Sequence, residues 1–380
     1  MIRHSPGKDE SGVFIFEYSS EDFAHQTDSW KYKNFKTSRF DRELCTRWDD
    51  GMDNGLFRYT MDHVETRILS GSNKYVVQLN EKRAKERRTP QSIMNVNQPF
   101  DPEQFNFTKI NPKEILFEIR NVTQNKSDSC NGVCNGVKET TKEDLREERH
   151  IVIINISPLE YGHVLIVPHV DTCQPQIFTE CGIQVGLECM LLSLHRGFKI
   201  GYNSLCAYAS VNHLHFHAYY LQHELMVESC DVKPLAKNLS EMLAMPAPGF
   251  AFQLHGSSLQ EISRLIFKIT SYFQEHEIAH NVFMTHGTVF GEGPSSENRT
   301  IRIYLWPRKK FIGQKMFEEF NVACIEFGGH LPVKERKGYE AMTDELADTI
   351  IASAKLPDEE YSRIKQKVIQ IAQTEAAASI

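Results

Sequence analysis

The sequence predicts an α+β fold built on antiparallel sheet, and three observations support this prediction. Residues 151–168 contain two β-prone runs, IVIINIS and HVLIVP, separated by a Pro- and Gly-bearing turn, which is typical of a β-hairpin. Residues 182–198 place apolar side chains at helical spacing. Residues 204–222, SLCAYASVNHLHFHAYYLQ, are β-prone and then alternate strictly, which predicts two more antiparallel strands. We therefore expect helices packed on an antiparallel sheet.

The order of helix and hairpin recurs in the second part of the chain. Ser258 and Glu261 form a capping box before a stripe of apolar residues at helical spacing. Residues 281–290 and 300–306 then predict two strands around the loop GEGPSSEN. Two amphipathic helices are expected at 343–355 and from Pro357 onward, the second with Tyr361, Ile364, Val368 and Ile371 on its buried face.

Composition divides the chain into segments of different character. Residues 1–50 mix charges and aromatics without a clear period, so we expect an irregular N-terminal arm. Residues 51–235 form an N-terminal half, and residues 236–380 form a C-terminal half. Within the first half, residues 121–148 carry almost no large apolar side chains, so they cannot offset the cost of ordering the backbone. This stretch is predicted to be a disordered insertion, and its C-x3-C pair at Cys130 and Cys134 lacks a second pair of zinc ligands at finger-like distance.

A strand predicted at 74–80 is followed by a basic run, EKRAKERR, at residues 81–88. Charge runs are usually solvated, so we favour a surface turn here. Only a phosphate group nearby would make the run functional.

Bulk properties exclude several classes of protein. The chain has 380 residues, a formal net charge of −7, and charged residues at 24%, so it does not resemble a nucleic-acid-binding protein. No stretch is apolar over the length of a membrane span, and the N-terminus lacks the pattern of a signal peptide. Nine scattered cysteines, an odd number, favour reduced thiols. We expect a cytoplasmic protein with neither nucleic acid nor membrane as a partner.

One dense cluster of reactive side chains lies at residues 212–221, NHLHFHAYYL. In a strand, alternate residues share a face, so His213, His215, His217 and Tyr219 are expected on one side. The residues between them are apolar and suited to packing on helices. The alternation therefore predicts a row of three imidazoles along the floor of a cleft.

Three interpretations of the row remain open at this level. Imidazoles two residues apart on a strand can ligate zinc, but no Cys or carboxylate nearby completes the set. Partly buried histidines can also be purely structural. A neutral imidazole is, finally, a good nucleophile at neutral pH and forms a phosphoramidate with phosphorus, which is the interpretation we favour.

The motif His-φ-His-φ-His-φ-φ, with φ apolar, resembles the histidine-triad superfamily of nucleotidyl hydrolases and transferases. The upstream stretch SPLEYGHVLIVP, with Gly162 and His163, resembles that superfamily's hairpin, and the two motifs occur in the expected order. YNSLCAYASVNHLHFHAYYL, together with QLNEKRAKERR and QPFDPEQFNFTKINPKEILFEI, is similar to the GDP-sugar phosphorylase family. The similarity covers scattered blocks between residues 55 and 350.

The resemblance implies a two-halved fold like that of galactose-1-phosphate uridylyltransferase. The implied reaction is that of a GDP-hexose with inorganic phosphate to give GDP and hexose 1-phosphate, without a cofactor or a metal. It implies His215 as the nucleophile, the carbonyl of His213 as its orienting group, and His217 and His163 as contacts of phosphoryl or leaving oxygens. Ser210 and Asn203 match positions that hydrogen-bond phosphate. The oligomeric state stays open, with a homodimer among the options.

One departure from the family pattern concerns the third histidine. The plant GDP-L-galactose enzymes and the uridylyltransferases carry Gln there, whereas this chain has His217. We therefore favour phosphorolysis of GDP-D-glucose over that of GDP-L-galactose, with nucleotide-sugar hydrolysis as an alternative. A non-catalytic nucleotide-binding module is the alternative from another class. Side chains of the second half that are candidates for holding sugar or phosphate are Arg302, Trp306, Arg308, Lys309, Glu326 and His330.

Overall fold

The structure is a computed structural model that describes residues 12–25, 30–31, 37–122, 149–293, 295–312 and 319–378. The strands in these ranges are β1 (Ile15–Tyr18), β2 (Trp30–Lys31), β3 (Glu65–Ile68), β4 (Val76–Leu79), β5 (Ile115–Asn121), β6 (His150–Ile154), β7 (Val164–Val167), β8 (Phe198–Asn203), β9 (Phe216–Tyr220), β10 (Val232–Ala236), β11 (Leu239–Met242), β12 (Phe250–Gln253), β13 (His280–Thr288), β14 (Asn298–Pro307) and β15 (His330–Val333). The helices are α1 (Arg39–Asp53), α2 (Glu81–Glu86), α3 (Glu180–Leu192), α4 (Leu259–Glu275), α5 (Cys324–Phe327), α6 (Arg336–Ala341), α7 (Asp344–Ser353) and α8 (Asp358–Ala378).

One large sheet runs through both halves of the chain in the order β1-β5-β6-β7-β9-β8-β13-β14-β12-β11-β10, and β2 pairs with β14. In the first half, hairpin β6–β7, helix α3 and hairpin β8–β9 give the strand order β6-β7-β9-β8. In the second half, hairpin β11–β12, helix α4 and hairpin β13–β14 give the same order, β11-β12-β14-β13. The two units join where β8 pairs antiparallel with β13. The structure is thus the two-halved α+β fold that the sequence predicts.

The two faces of this sheet are covered differently. On the helical face, which carries Phe216, Ala218 and Ile303, helices α1, α3, α4 and α8 bury the larger hydrophobic core. On the opposite face, which we call the cleft face and which carries His217 and Tyr219, a small sheet of order β15-β4-β3 packs over part of the surface. The alternating sequence of β9 therefore separates packing residues from chemically reactive residues.

Several predicted elements are confirmed. Strands β6 and β7 form the expected hairpin, with Ile151 opposite Val167. Ser258 and Glu261 cap α4 reciprocally, and the two terminal helices appear as α7 and α8. Of the predicted insertion 121–148, residues 123–148, with Cys130 and Cys134, lie outside the described residues. No helix in the described ranges is long and apolar enough to span a membrane.

The predicted irregular arm, residues 1–50, is wrong for its described parts. Residues 39–50 belong to α1, which Ser38 and Asp41 cap reciprocally, and β1 pairs with β5. Phe40, Leu44 and Trp48 recur every four residues and are buried. Neighbouring aromatics obscured this period in the sequence. The expected boundary between the halves, at residues 235/236, does not fall between structural elements, because it lies within β10 (Val232–Ala236).

The helix predicted at 182–198 ends earlier than expected. Its end is fixed by Asp41, whose carboxylate accepts hydrogen bonds from the Ser193 hydroxyl at 2.6 Å and the Leu194 N–H at 2.9 Å. The chain then enters β8 at Phe198, upstream of the strand predicted from residue 204. Residues 204–215 lie outside the strands, so β9 begins only at Phe216.

Candidate active site

Four histidines form a row on the cleft face. His217 lies on β9, between Leu165 of β7 and Gly201 of β8. Its ring centroid is 5.2 Å from that of His215 and 5.3 Å from that of His163. His213 completes the row, and all but the half-buried His217 are buried. The structure therefore brings together the four histidines that the sequence selects.

The segment with His213 and His215 precedes β9, and a side chain replaces the missing strand partner. Gln176 Oε1 accepts the His215 N–H at 2.9 Å, and Gln176 Nε2 donates to the His215 carbonyl at 3.1 Å. The same Nε2 donates to the carbonyl of Asn203 at 3.0 Å. The buried amide of Gln176 thus holds the backbone of His215 as a neighbouring strand would. No pattern in the sequence points to Gln176.

The protonation of His215 follows from its surroundings. Burial lowers the pKa of His215 to about 4, and the charge of Arg88 adds to this effect against the opposing hydrogen bond to His213. The neutral ring has one N–H, and the carbonyl of His213, 2.7 Å from Nδ1, can only accept. The proton therefore sits on Nδ1, and Nε2 carries the free lone pair. This is the arrangement that a nucleophilic imidazole needs.

His163 and His217 present the opposite polarity. The backbone N–H of Leu159 donates to His163 Nδ1 at 2.8 Å, so the neutral ring of His163 carries its proton on Nε2. This Nε2 lies 3.1 Å from His217 Nδ1 and donates to it. Burial holds the pKa of both rings well below the ordinary value. The proton of His217 is therefore on Nε2, where it is a hydrogen-bond donor. Asn155 Nδ2, 3.3 Å from His163 Nε2, then faces a donor and makes no hydrogen bond with it.

His213 contributes its carbonyl to the site. Its Nδ1 accepts the backbone N–H of Phe107 at 3.1 Å, which puts the proton on Nε2. The ring is also close enough to the backbone of Val170 for a hydrogen bond that favours its protonated form. Burial, together with the neighbouring His215, lowers the pKa of His213 to about 4. The ring is held by packing between aromatic residues, and the carbonyl orients His215.

Ser210 and Asn203 occupy different environments. Ser210 is exposed, and its carbonyl accepts the N–H of Gln91 at 3.1 Å. Asn203 is buried, and its Oδ1 accepts from Asn281 Nδ2 at 2.6 Å and from the Cys324 N–H at 3.0 Å. Asn203 thus ties the catalytic half to the second half, and these bonds leave its Nδ2 unused.

The basic run at 81–88 is not the surface turn that we favoured. Residues 81–86 form α2, which Asn80 caps through its Oδ1 and the N–H of Arg83 at 3.0 Å. The charges of Arg83 and Arg88 reach the histidine row, where they lower the pKa of His217 and of His215, respectively. Arg83 lies on α2 and Arg87 directly follows it, and the helical spacing of four residues between them is the signal that could have revealed this placement.

The second-half candidates separate into two groups. Arg302 donates to backbone carbonyls, Trp306 stacks on Phe327, and Lys309 donates to the carbonyl of Ser353, so these three side chains serve the framework. Glu326 and His330 lie on the cleft face, where His330 adjoins Tyr219 at 3.2 Å.

Burial raises the pKa of Glu326 to about 7, and the charges of Arg83 and Lys334 oppose the shift. Arg308 is buried as well, against Tyr208. Glu326 is thus a carboxyl group that titrates near neutral pH beside the histidine row.

The donor sets do not fit a metal. A zinc ion on the triad needs a lone pair from each ring, but only His215 offers one at Nε2, because the Nε2 atoms of His213 and His217 carry protons. A second group, His150, His169 and Cys181, lies elsewhere in the described structure, with its ligand atoms within 4.8 Å of one another. The Nδ1 of His150 accepts the His169 N–H at 3.0 Å, which likewise leaves its proton on Nε2.

Comparisons with known proteins place this site in context. Sequence profiles described as "GDPGP1-like, N-terminal domain" and "GDPGP1-like, C-terminal domain" match residues 39–219 and 223–375. The chain is 42% identical to GDP-D-glucose phosphorylase 1 of Danio rerio, over 94% of this chain and 98% of that protein. It is 40% identical to the Homo sapiens protein of the same name, over 88% and 84%, and 31% identical to GDP-L-galactose phosphorylase 1 of Arabidopsis thaliana, over 83% and 70%.

Among solved structures, yeast Ap4A phosphorylase Apa2 in complex with Ap4A matches with a TM-score of 0.55 at 14% identity. The match covers 84% of this chain and 99% of Apa2, and at this identity it supports the fold alone. The two profiles together span both halves of the sheet and all four histidines of the row. This chain therefore belongs to the GDPGP1-like family.

Proposed function

We propose that this chain is a GDP-D-glucose phosphorylase, which converts GDP-glucose and inorganic phosphate to GDP and glucose 1-phosphate. The observation that carries the proposal is the fixed polarity of the histidine row. His215 offers a lone pair at Nε2, and His217 beside it offers an N–H. Five vertebrate relatives named GDP-D-glucose phosphorylase 1 are 37–42% identical to this chain, whereas two plant GDP-L-galactose phosphorylases are 30–31% identical to it.

In the first step, His215 Nε2 attacks the α-phosphorus of GDP-glucose. The bond from that phosphorus to the bridging oxygen breaks, and glucose 1-phosphate leaves with the oxygen and its electron pair. The His215 Nδ1–H keeps its hydrogen bond to the carbonyl of His213, and this bond stabilises the positive charge that develops on the ring. His217 donates its Nε2–H to a phosphoryl oxygen. GMP is then held covalently on His215.

In the second step, an oxygen of inorganic phosphate attacks the same phosphorus, and the bond to His215 breaks with its electron pair returning to Nε2. GDP is released, and the free imidazole is restored. Two displacements at one phosphorus predict ping-pong kinetics. Asn203, through its Nδ2, and Ser210, through its hydroxyl, are proposed to hydrogen-bond phosphate. Substrates are thus a GDP-hexose and phosphate, and we place the reaction in the cytoplasm, which agrees with the free cysteines of the described residues.

The experiment is intact-mass analysis after mixing the protein with GDP-glucose without phosphate. We expect a GMP adduct in the wild-type protein, none in His215→Asn, and decay of the adduct when phosphate is added. A panel of GDP-glucose, GDP-mannose, GDP-galactose and UDP-glucose identifies the preferred sugar and base. An active His215→Asn variant without adduct would refute the nucleophile. Binding of GDP-sugars without turnover would instead favour a nucleotide-binding module.

Hydrolysis is the second candidate, because the His217 Nε2–H can also serve a reaction in which water is the acceptor. Release of GMP in the absence of phosphate, at a rate comparable with phosphorolysis, would favour this function. Release at a far lower rate would confirm phosphate as the acceptor.

A further inference from the structure

The basic segment, residues 81–88, runs beside the histidine row and is anchored at both ends to parts of the site. At its start, Asn80 Nδ2 donates to the carbonyl of Pro158 at 3.3 Å, and Arg83 donates to the carbonyl of Ser157. Both carbonyls belong to the turn that leads into His163. The start of the segment is therefore fixed to the hairpin.

Just beyond its end, Gln91 fixes the chain to the residues before the nucleophile. The N–H of Gln91 donates to the Ser210 carbonyl at 3.1 Å, and its Oε1 accepts the N–H of Asn212 at 2.8 Å. Its Nε2 donates to the carbonyl of Phe105 at 2.6 Å. The segment thus spans from the hairpin of His163 to the loop of His215.

Arg88 lies at the His215 end of the segment. Its guanidinium is 3.2 Å from the ring centroid of Phe105, and that ring contacts Phe107, which lies 5.0 Å from His215. Its Nη1 is buried and has no hydrogen-bond partner among the described residues. The charges of Arg58 and Glu114 both act on Arg88, in opposite directions. A buried guanidinium nitrogen without an acceptor costs free energy unless a ligand supplies one.

Arg83, near the start of the segment, and Arg87, directly before Arg88, act on a different part of the site. The charge of Arg83 acts on His163, His217 and Glu326, and the charge of Arg87 acts on Lys334. The cations Arg83, Arg87 and Lys334 therefore all act on the carboxyl group of Glu326 beside the row. Like charges brought together in this way are stabilised when an anion occupies the space between them.

We propose that the three arginines of the basic segment, Arg83, Arg87 and Arg88, form the phosphate-binding wall of the site, with Arg88 as a catalytic residue that contacts the phosphoryl group transferred to His215. Arg83 and Arg87 hold the second phosphate, which leaves as part of glucose 1-phosphate and returns as inorganic phosphate. Guanidinium groups bind phosphoryl oxygens through two parallel N–H bonds, and such contacts strengthen as charge develops in the transition state. This inference rests on the proposed function, because it needs guanylyl transfer to His215.

The test measures the two half-reactions separately in the full-length protein. The rate of GMP-adduct formation from GDP-glucose is followed by mass spectrometry, and the rate of adduct decay is followed against phosphate concentration. We expect Arg88→Gln to slow adduct formation by about 100-fold, as removal of one charge-stabilising donor does elsewhere. Arg88→Lys keeps the positive charge but not the two parallel N–H donors of the guanidinium, so its rate of adduct formation should fall by about 10-fold. Arg83→Gln should raise the phosphate concentration needed for half-maximal decay.

The matched control is Lys85→Gln, because Lys85 is exposed, belongs to the same basic segment, and its substitution removes the same charge from the chain. It should form and lose the adduct at wild-type rates. Adduct formation by Arg88→Gln at the wild-type rate would overturn the inference, as would equal losses in Lys85→Gln. If Arg88→Gln lowers the melting temperature, the rate of adduct formation by Arg88→Lys is the decisive measurement, and a wild-type rate in that variant would overturn the inference. Absence of an adduct in the wild-type protein refutes the proposed function instead, so the two failures are distinguishable.

Discussion

Acidification should leave the nucleophile active at pH values where an ordinary histidine is protonated. His215 is 2% exposed, and its burial among Phe107 and the other rings lowers its pKa to about 4. Burial likewise holds the pKa values of the neighbours His163 and His217 well below the ordinary range. The acid limb of guanylyl transfer is therefore expected near pH 4.

The size of the effect follows from the two pKa values. At pH 5, a group with a pKa of about 4 is about 90% neutral, whereas an imidazole with the ordinary value of about 6.5 is about 3% neutral. Only the neutral ring has a lone pair at Nε2. The rate of the first half-reaction at pH 5 should thus remain within a factor of about two of its value at pH 7.5, instead of falling about 30-fold.

The assay is a single-turnover measurement of GMP-adduct formation from GDP-glucose between pH 4.5 and 8, without phosphate, whose own titration would otherwise contribute. Reactions are quenched in alkali, because the phosphoramidate bond is labile in acid. Circular dichroism at each pH confirms that the protein is folded. A rate that falls tenfold per pH unit below 6.5, in a protein still folded, would refute the reasoning. The His217→Gln variant shows whether any limb belongs to the neighbouring ring.

Three further predictions concern single substitutions. His217→Gln should keep phosphorolysis of GDP-glucose, because an amide can supply the same N–H, and a coupled assay for glucose 1-phosphate checks this. His280→Phe should reduce the acid sensitivity of the fold. Burial lowers the pKa of His280 to about 4, so the unfolded chain takes up its proton first as the pH falls below about 6.5, and between pH 7 and 5 the native state loses about 2 kcal/mol at this residue. Urea titrations at both pH values measure the difference, and an unchanged difference in the variant would contradict the argument. Lys199→Met should cost about 3 kcal/mol, because it removes the cation 2.5 Å from the buried Glu228 and leaves that carboxylate paired with Arg196, at 3.7 Å. A melting curve within a degree of wild type would exclude this.

The sequence predicts the parts of the site that depend on local pattern. The hairpin with His163 and the alternation around His217 are visible because a half-buried strand repeats every two residues. The role of Gln176 cannot be predicted from local pattern, because its side chain bonds the backbone of His215, which lies 39 residues away in the chain. The role of the basic segment is equally hidden, since only the folded chain shows that it joins the hairpin to the catalytic loop.

The two halves share a strand order but present different side chains to the cleft face. By strand order, β14 is the counterpart of β9. Where β9 presents His217 to the cleft, β14 presents Arg302 and Trp306. Arg302 donates its hydrogen bonds to backbone carbonyls, and Trp306 stacks on Phe327. The second half thus repeats the strand order of the first half but fills the corresponding face with framework contacts. Helix α5 and strand β15 of the second half pack on the first half. There the backbone N–H of Cys324 donates to Asn203, and the buried Glu326 lies at the side of the histidine row. The catalytic face is therefore complete only when both halves are folded together, and we expect a fragment that ends before β10 to lack guanylyl transfer even if its four histidines are intact.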